Sequence, residues 1–243
     1  MDTIRINRFL SMCGAVSRRK ADDLVRSGRV KINGARARTG DTVDPERDIV
    51  TLDGRRVLPQ PQVILAFYKP KNVLTTLSDP QGRPCLGDLI PEHLRGVFPV
   101  GRLDYDASGL LILTNDGDLA HAIHHPSFMV PKTYVVKVRP RAAEEAVRAM
   151  EAGVVIDGKK TMPARVRVVH STPRESILNI TLTQGLKNQI KRMASCVGLR
   201  VVEIKRTSVG PVTLRGMAPG EMRPLSAREA RALHNILKKG YKP

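Results

Sequence analysis

The sequence predicts an α+β protein with a small N-terminal domain and a larger domain built on a mixed, mainly antiparallel sheet flanked by helices. Near the N-terminus, apolar residues recur at helical spacing and are followed by short strands with tight turns. Later in the chain, strand-like and helix-like stretches alternate irregularly, and some strands alternate polar and apolar residues, as in Arg165-Val166-Arg167-Val168. This alternation is typical of antiparallel strands with one solvated face and disfavours a doubly wound parallel sheet.

The N-terminal domain is predicted to contain two helices and a small sheet. The first helix is indicated by apolar residues at positions i, i+3, i+4 and i+7, namely Ile6, Phe9, Leu10 and Cys13. Ser17 is suited to cap a second helix, which should end at Gly28. Two strands should follow, Val30 to Ile32 before an Asn-Gly turn and Ile49 to Leu52 before an Asp-Gly turn.

The first turn of this second helix is unusual because it reads Arg18-Arg19-Lys20. Cations at the positive end of the helix dipole are unfavourable unless an anion lies close by. The pattern therefore predicts a phosphate contact, although a solvated basic face is the alternative.

A domain boundary is predicted at Pro59-Gln60-Pro61-Gln62, because proline fixes its own φ and restrains the preceding residue. The predicted domains are residues 1–58 and 63–243, with residues 59–62 as a stiff linker. Such a chain is compatible with a monomer.

Six strands and four helices are predicted in the larger domain. The strands are Val63 to Tyr68, Leu110 to Leu113, Tyr134 to Val138, Ala164 to Val169, Ile177 to Leu182 and Val201 to Ile204. The helical stretches lie near Leu119 to Ile123, Ala142 to Met150, Leu186 to Val197 and Ser226 to Leu237. In the third helix, apolar residues form one stripe, so Lys187 and Lys191 should share a neighbouring face at i, i+4.

The composition indicates a polyanionic partner. The formal charge of +18, from 41 Lys and Arg against 23 Asp and Glu, favours nucleic acid. Because only 3% of residues are aromatic, a general single-strand binder with stacking platforms and an aromatic-anchored membrane helix are both disfavoured. With no long apolar run and no cysteines at zinc-site spacing, we expect a cytoplasmic protein with no metal site and no membrane association.

Four aspartates in the passage "VGRLDYDASGLLILTNDGDL" stand out in so basic a chain. Asp104 lies in a loop that enters a predicted buried strand, where a carboxylate can act as general base, nucleophile or metal ligand. These properties do not rank Asp104 above Asp106. Asp116 and Asp118 are better explained as a turn and a helix cap.

This passage resembles the signature of the bacterial ribosomal RNA pseudouridine synthases of the RsuA, RluB and RluF type. The matching segments are Gly101-Arg102-Leu103-Asp104, Gly109-Leu110-Leu111 and Thr114-Asn115-Asp116-Gly117. Four further segments resemble the same family. Residues 4–57 are similar to an S4 RNA-binding module, and Tyr68-Lys69-Pro70 and Lys132-Thr133-Tyr134 are similar to other family motifs. The segment from Gln184 to Met193 resembles the third motif, with Gln184 for the usual Glu and Asn188 for the usual Arg.

The resemblance implies a pseudouridine synthase fold with a bent sheet and no cofactor. It also implies that Asp104 is the nucleophile acting on a flipped uridine of structured ribosomal RNA, with large-subunit RNA favoured over small-subunit RNA. Attack at C1', attack at C6 and assistance of an elimination at C2' all remain open.

The resemblance also implies roles for the residues around Asp104. Lys191 would pair with Asp104 and keep it ionised in a site shielded from solvent. Tyr134 would stack on the uracil. The expected supporting residues are Arg102, Tyr134, Lys191, Ile190 and Lys69, and the expected RNA-binding residues are Arg5, Arg18, Arg19, Lys20, Lys31, Lys187 and Arg192.

Two other functions are compatible with parts of the sequence. Ala107, Gln184 and Asn188 depart from the family pattern, so a non-catalytic RNA-binding factor of ribosome assembly is one alternative. A glycosidase with Asp104 and Asp106 as paired carboxylates is the other. The strong positive charge and the few aromatic residues disfavour the glycosidase.

Overall fold

A computed structural model of the chain describes residues 3–14, 16–94 and 96–239, so the outermost residues of the predicted domains, 1–2 and 240–243, lie outside the described part. The chain divides into two compact units. The first comprises Met1–Val63, Ile90–Phe98 and Thr114–Asp116. The second comprises Ile64–Leu89, Pro99–Leu113 and Gly117–Pro243. Both units combine helices with strands, which confirms the predicted α+β class.

The first unit contains the two predicted helices, α1 (Ile6–Met12) and α2 (Arg18–Arg26). Ser17 caps α2, because its hydroxyl accepts a hydrogen bond from the Lys20 amide at 3.4 Å. The apolar stripes of the helices pack into one core with residues of the strands. The cap and the stripes are both visible in the sequence, which is why the two helices were predicted correctly.

The described residues of the first unit also form six short strands: β1 (Ile4–Arg5), β2 (Val30–Ile32), β3 (Ala35–Arg36), β4 (Thr42–Val43), β5 (Val50–Leu52) and β6 (Arg55–Arg56). Four of them form a sheet in the order β3-β2-β5-β6, and β1 pairs with β4. Both predicted hairpin turns are confirmed, with Asn33 and Asp53 at φ of 50°. Asn and Asp tolerate this left-handed conformation better than most residues.

The described part of the second unit contains eleven strands. They are β7 (Ile64–Lys69), β8 (Phe98–Val100), β9 (Ser108–Thr114), β10 (Lys132–Arg139), β11 (Val155–Ile156), β12 (Lys159–Lys160), β13 (Arg165–Ser171), β14 (Ser176–Leu182), β15 (Arg200–Val209), β16 (Val212–Thr213) and β17 (Met222–Pro224). The main sheet has the order β13-β14-β10-β15-β9-β7-β17, with β8 beside β9 and β16 beside β15. Strands β13, β14, β10 and β15 pair antiparallel, whereas β9 and β15 pair parallel. This arrangement confirms the predicted mixed, mainly antiparallel sheet.

Four helices accompany this sheet: α3 (Gly117–His124), α4 (Glu144–Ala152), α5 (Gln189–Cys196) and α6 (Ala227–Lys239). The predicted start of α5 was wrong, because the helix begins three residues after Leu186. Asn188 has φ of 53°, a left-handed conformation that does not occur inside a right-handed α-helix, so the helix begins only after this residue. Leu186 is consequently 47% exposed, and Lys187 does not share a helix face with Lys191.

Strand β9 is buried at every position from Ser108 to Thr114. Leu110 and Ile112 pack with apolar residues of α3 and α6, while a separate core forms between α4, α5 and the strands β10 and β14. The loop that carries Asp104 therefore leads directly into one of the most buried strands of the molecule. Within the described residues, no helix has the length and apolarity needed to cross a bilayer.

Candidate active site

Asp104 lies in the loop between β8 and β9, and this loop is fixed by Thr75. The Thr75 hydroxyl donates to the Leu103 carbonyl at 2.7 Å, and its oxygen accepts from the Leu103 amide at 3.2 Å. The Leu103 side chain is itself buried. Because both backbone groups of the preceding residue are bonded, the direction in which the Asp104 side chain leaves the backbone is restricted. Sequence reasoning assigned no role to Thr75.

Lys191 lies beside two carboxylates, and its closer partner is not the predicted one. Its Nζ donates to the two oxygens of Asp106 at 2.7 and 2.8 Å, whereas Asp104 Oδ2 is 3.8 Å away. The hydrogen bond from Lys191 is the largest cause of the lowered pKa of the Asp106 carboxyl group. The expected pair of Lys191 and Asp104 is therefore present as an ion pair without a hydrogen bond, and Asp106 accepts the direct hydrogen bonds of the lysine.

Asn188 supplies the direct hydrogen bonds to Asp104. With the amide oriented so that its nitrogen faces the carboxylate, the nitrogen donates to Asp104 Oδ2 at 2.7 Å and to Oδ1 at 3.3 Å. The left-handed backbone of Asn188, which ends the preceding loop, brings this side chain to the carboxylate. A residue treated in the sequence as a departure from the family pattern is therefore a neighbour of the predicted nucleophile.

Lys69 supports the same loop from within the protein. Its side chain is completely buried, and its ammonium group donates to the carbonyl oxygens of Pro70 and Ala107, both at 2.9 Å. Burial lowers the pKa of Lys69 to about 8, although the negative charges of Asp104 and Asp106 act in the opposite direction. Since the Ala107 contact is made by its backbone, the identity of that side chain does not affect it.

Gly109 of the signature is required by the close parallel pairing of β9 and β15, in which it lies opposite Arg206. It has φ of 118°, and a Cβ atom at this position would lie 2.2 Å from the carbonyl oxygen of Arg206. No side chain fits there without displacing backbone. The glycine therefore allows the Asp104 loop and the strand that carries Arg206 to approach closely.

A cavity of about 320 Å³ joins the predicted site residues. Asp104, Arg102, Tyr134, Ile190 and Lys191 all line it. Tyr134 is half-buried, Ile190 is buried, and the Asp104 side chain is 39% exposed. Asp104 is thus less shielded from solvent than the sequence reasoning expected. The cavity is within the size range of small-ligand pockets and brings an apolar wall, an aromatic ring and a carboxylate together.

The predicted RNA-binding residues fall in two places. Arg5, Arg18, Arg19, Lys20 and Lys31 are exposed on the first unit, while Lys187 and Arg192 belong to the second. Lys187 is exposed and lines the cavity. Arg192 forms an ion pair with Asp157 of the turn between β11 and β12, a partner that the sequence did not reveal.

Comparison with known proteins identifies the family. Residues 63–195 match the model of the RNA pseudouridylate synthases, and residues 4–50 match the S4 domain. The chain belongs to the RNA pseudouridine synthase family. An uncharacterized RNA pseudouridine synthase of Aquifex aeolicus is 40% identical over 245 residues, covering 100% of this chain and 98% of the relative.

Two further relatives agree with this assignment. The ribosomal large subunit pseudouridine synthase B of Bacillus subtilis is 33% identical and covers 97% of this chain and 98% of its own length. A crystal structure of a pseudouridylate synthase superposes with a TM-score of 0.69 and 28% identity, covering 95% of this chain and 99% of the other. The predicted family and the predicted pseudouridine synthase fold are therefore confirmed, and the protein is an isomerase that acts on RNA.

Proposed function

We propose that this pseudouridine synthase converts one uridine of ribosomal RNA to pseudouridine, with Asp104 as the nucleophile and large-subunit RNA as the preferred substrate. The observation that carries the proposal is the placement of the Asp104 carboxylate in the cavity beside Lys191 and Asn188, facing a space lined by Tyr134 and Ile190. The preference for the large subunit is supported by the name of the Bacillus subtilis relative, which covers nearly the whole chain.

The isomerisation breaks the bond between N1 of uracil and C1' of ribose and forms a bond between C5 and C1'. N1 gains a proton, C5 loses one, and no electrons are exchanged with a cofactor. An ionised Asp104 can attack C1', attack C6 or assist elimination at C2'. In each case the carboxylate needs close access to the nucleoside, and the cation of Lys191 and the amide of Asn188 stabilise its charge.

The target uridine must leave its stack before it can enter the cavity. Flipping costs a few kcal/mol, and stacking on an aromatic ring contributes about 1–3 kcal/mol per base. Tyr134 provides that ring, and the exposed Arg102 is placed to contact the phosphate of the flipped nucleotide. Lys187 and Arg192 would extend the phosphate contacts around the cavity.

The first unit would hold the RNA through its phosphates. We propose residues 1–58 as the S4 domain, 59–62 as a linker and 63–243 as the catalytic domain of a monomer that acts in the cytoplasm, where ribosomal RNA is found. Contacts from Arg5, Lys31 and the cations of α2 to phosphate would position the RNA without reading its sequence.

The alternative of a non-catalytic assembly factor rested on three departures from the family pattern. Ala107 contributes only its carbonyl oxygen to the bond with Lys69, and Asn188 donates directly to Asp104. Gln184 accepts a hydrogen bond from the Met162 amide. None of the three residues removes a group from Asp104, so the geometry favours the enzyme.

The proposal is tested by incubating the protein with fragments of large-subunit and small-subunit ribosomal RNA and mapping pseudouridine by carbodiimide-dependent primer extension. We expect one modified position in large-subunit RNA with the parent protein and with Asp116→Asn, a control outside the cavity. Asp104→Asn should give no product. Product from Asp104→Asn would overturn its role, and absence of product from the parent on every ribosomal fragment would favour the assembly factor.

A further inference from the structure

Two cations in the cavity have no part in the site described so far. Arg206 of β15 and Lys132 of β10 both line it, with exposures of only 3% and 9%. Within the described part of the chain, neither forms an ion pair with a carboxylate. A buried positive charge without a counterion is unfavourable, and two of them together are more so.

The hydrogen-bonding capacity of these groups is incompletely used. Arg206 Nε donates to the Leu110 carbonyl at 2.7 Å, but its Nη2 has no partner among the described residues. The Lys132 ammonium donates to the carbonyls of Ile123 at 3.2 Å and Val130 at 3.0 Å, which leaves one of its three hydrogens. Gln184, which also lines the cavity, has a buried amide nitrogen without a partner there.

All of these spare groups are hydrogen-bond donors. Buried donors in proteins are nearly always satisfied, so such a set indicates a ligand that presents acceptor oxygens. Burial is also the main reason that the pKa of Lys132 is lowered to about 8, with the charge of Arg206 acting in the same direction. An acceptor oxygen that carries negative charge would satisfy the spare donors and would offset the cost of burying the two positive charges.

The position of Arg206 relative to Tyr134 identifies which part of the RNA can reach it. The two residues are directly paired across β10 and β15, so their Cβ atoms are expected to be about 4.5–5.5 Å apart. A base stacked on the Tyr134 ring would therefore bring its edge close to the guanidinium. The phosphates of a continuous RNA chain stay at the mouth of the cavity, where Arg102 and Lys187 are exposed.

We infer that Arg206 and Lys132 bind O4 of the flipped uracil and stabilise the negative charge on that oxygen when the base separates from the ribose. O4 is the carbonyl oxygen far from C1', so it enters deepest when C1' lies near Asp104. The inference rests on the proposed function, since it requires a uridine in this cavity.

The chemistry of the reaction gives these two cations a role in rate as well as in recognition. When the N1–C1' bond breaks, its electron pair stays with the uracil and is delocalised from N1 through C6, C5 and C4 to O4. Fixed positive groups at O4 would stabilise this anion until C5 bonds to C1' and the C5 proton is lost. They would also disfavour cytidine, which has an amino donor in place of O4.

The test uses the RNA fragment in which the parent protein forms pseudouridine, so the proposed function is established before the inference is examined. In an Asp104→Asn background, RNA binding is measured with uridine, cytidine or an abasic site at the target position. Arg206→Gln and Lys132→Met are compared with Arg200→Gln, which removes an exposed arginine from the same strand. Thermal unfolding is recorded for each variant.

We expect Arg206→Gln and Lys132→Met to weaken binding of the uridine RNA by at least ~10-fold, as for loss of a charged hydrogen bond, and to change binding of the abasic RNA less than ~2-fold. In both variants, the preference for uridine RNA over cytidine RNA should also decrease. In Arg200→Gln this preference should be the same as in the parent. Equal losses on uridine and abasic RNA would show that the cations hold phosphate, and unchanged binding would show that they contact no RNA. Either result overturns the inference.

A substrate change avoids any effect of the substitutions on folding. RNA with a pyrimidin-2-one base at the target lacks O4 and the N3 hydrogen but keeps the ring, O2, the ribose and the phosphates. Its affinity for the Asp104→Asn protein should fall by at least the factor that the uridine RNA loses on Arg206→Gln. An affinity equal to that of uridine RNA would overturn the inference even if both cavity variants failed to fold.

Discussion

The cations at the start of α2 and the cations of the cavity carry the same charge in opposite environments. Arg18, Arg19 and Lys20 are exposed in the first unit, and none has a carboxylate partner within the described residues. In the second unit, Lys69 and Lys132 are buried. Exposed charges act on RNA at a distance and are screened by salt, whereas buried charges act over a few ångströms and are screened little.

These two environments give the cations of one basic chain two different roles, RNA binding for the exposed group and an effect on the reaction for the buried group. Exposed cations interact with any phosphate and therefore contribute affinity with little selectivity. Buried cations cost free energy in the unbound protein, which only a matched group can offset. We therefore expect substitutions in the first group to change RNA affinity and its salt dependence, and substitutions in the cavity to change recognition of the target base and the rate on bound RNA.

The largest effect is expected for Lys191→Gln. Glutamine can still donate to Asp106, but Asp104 and Asp106 lose their shared cation, so the single-turnover rate should fall about 10²-fold, as when one preorganised electrostatic group is removed. RNA affinity should stay within about 2-fold. Lys159→Gln, an exposed lysine of β12, serves as the control. Lys191→Arg should recover part of the rate. A rate for Lys191→Gln close to that of the parent would contradict an electrostatic role.

A smaller effect, confined to binding, is expected when Arg18, Arg19 and Lys20 are all changed to Gln. RNA affinity at low salt should fall, and the slope of log affinity against log salt should flatten by about 2 to 3 units if each residue contacts one phosphate. The rate at saturating RNA should be unchanged. Arg26→Gln on the same helix is the control, because Arg26 is paired with Asp23. An unchanged salt slope in the triple variant would remove α2 from the docking surface.

The smallest effect is expected from pH. Burial lowers the pKa of Lys69 and of Lys132 to about 8, so the cavity loses positive charge as the pH rises through this value. The single-turnover rate should therefore decline several-fold above about pH 8, and Lys132→Met should decline less. Arginine stays charged over this range.

Stability should respond to pH in the opposite direction. A lysine whose pKa is lowered by folding binds fewer protons in the folded state between about pH 8 and 10.5, so these two lysines favour folding more as the pH rises. Thermal unfolding is therefore measured at each pH, so that a fall in rate caused by deprotonation of the two lysines can be distinguished from a fall caused by alkaline denaturation. A rate that is constant from pH 7 to 9 would show that neither lysine's charge affects the reaction.

Much of the architecture could be predicted because its signals are local. The cap at Ser17, the turns at Asn33 and Asp53 and the apolar run of β9 each depend on a few neighbouring residues. The start of α5 was wrong because periodicity extended through Leu186. The left-handed Asn188 overrides that pattern, and its side chain contacts Asp104 in a loop more than eighty residues earlier.

The site was predicted unevenly for the same reason. Motif resemblance selected Asp104, Tyr134 and Lys191, and the structure brings all three to one cavity. It assigned no role to Thr75, and it did not show that Lys191 lies closer to Asp106 than to Asp104. Side-chain partners of this kind are set by the packing of distant segments, which spacing along the chain does not encode.

The α+β class, the helices and hairpins of the first unit, the expectation of a polyanionic partner and the loop that carries Asp104 could all be inferred without coordinates. Periodicity, caps and net charge are properties of short segments or of composition, so they can be read without coordinates. Only the tertiary structure decided which cations stand near carboxylates and which, like Arg206, lie buried with unused donors. Burial and partner distance arise when strands far apart in sequence pair, and they determine what a charged side chain does.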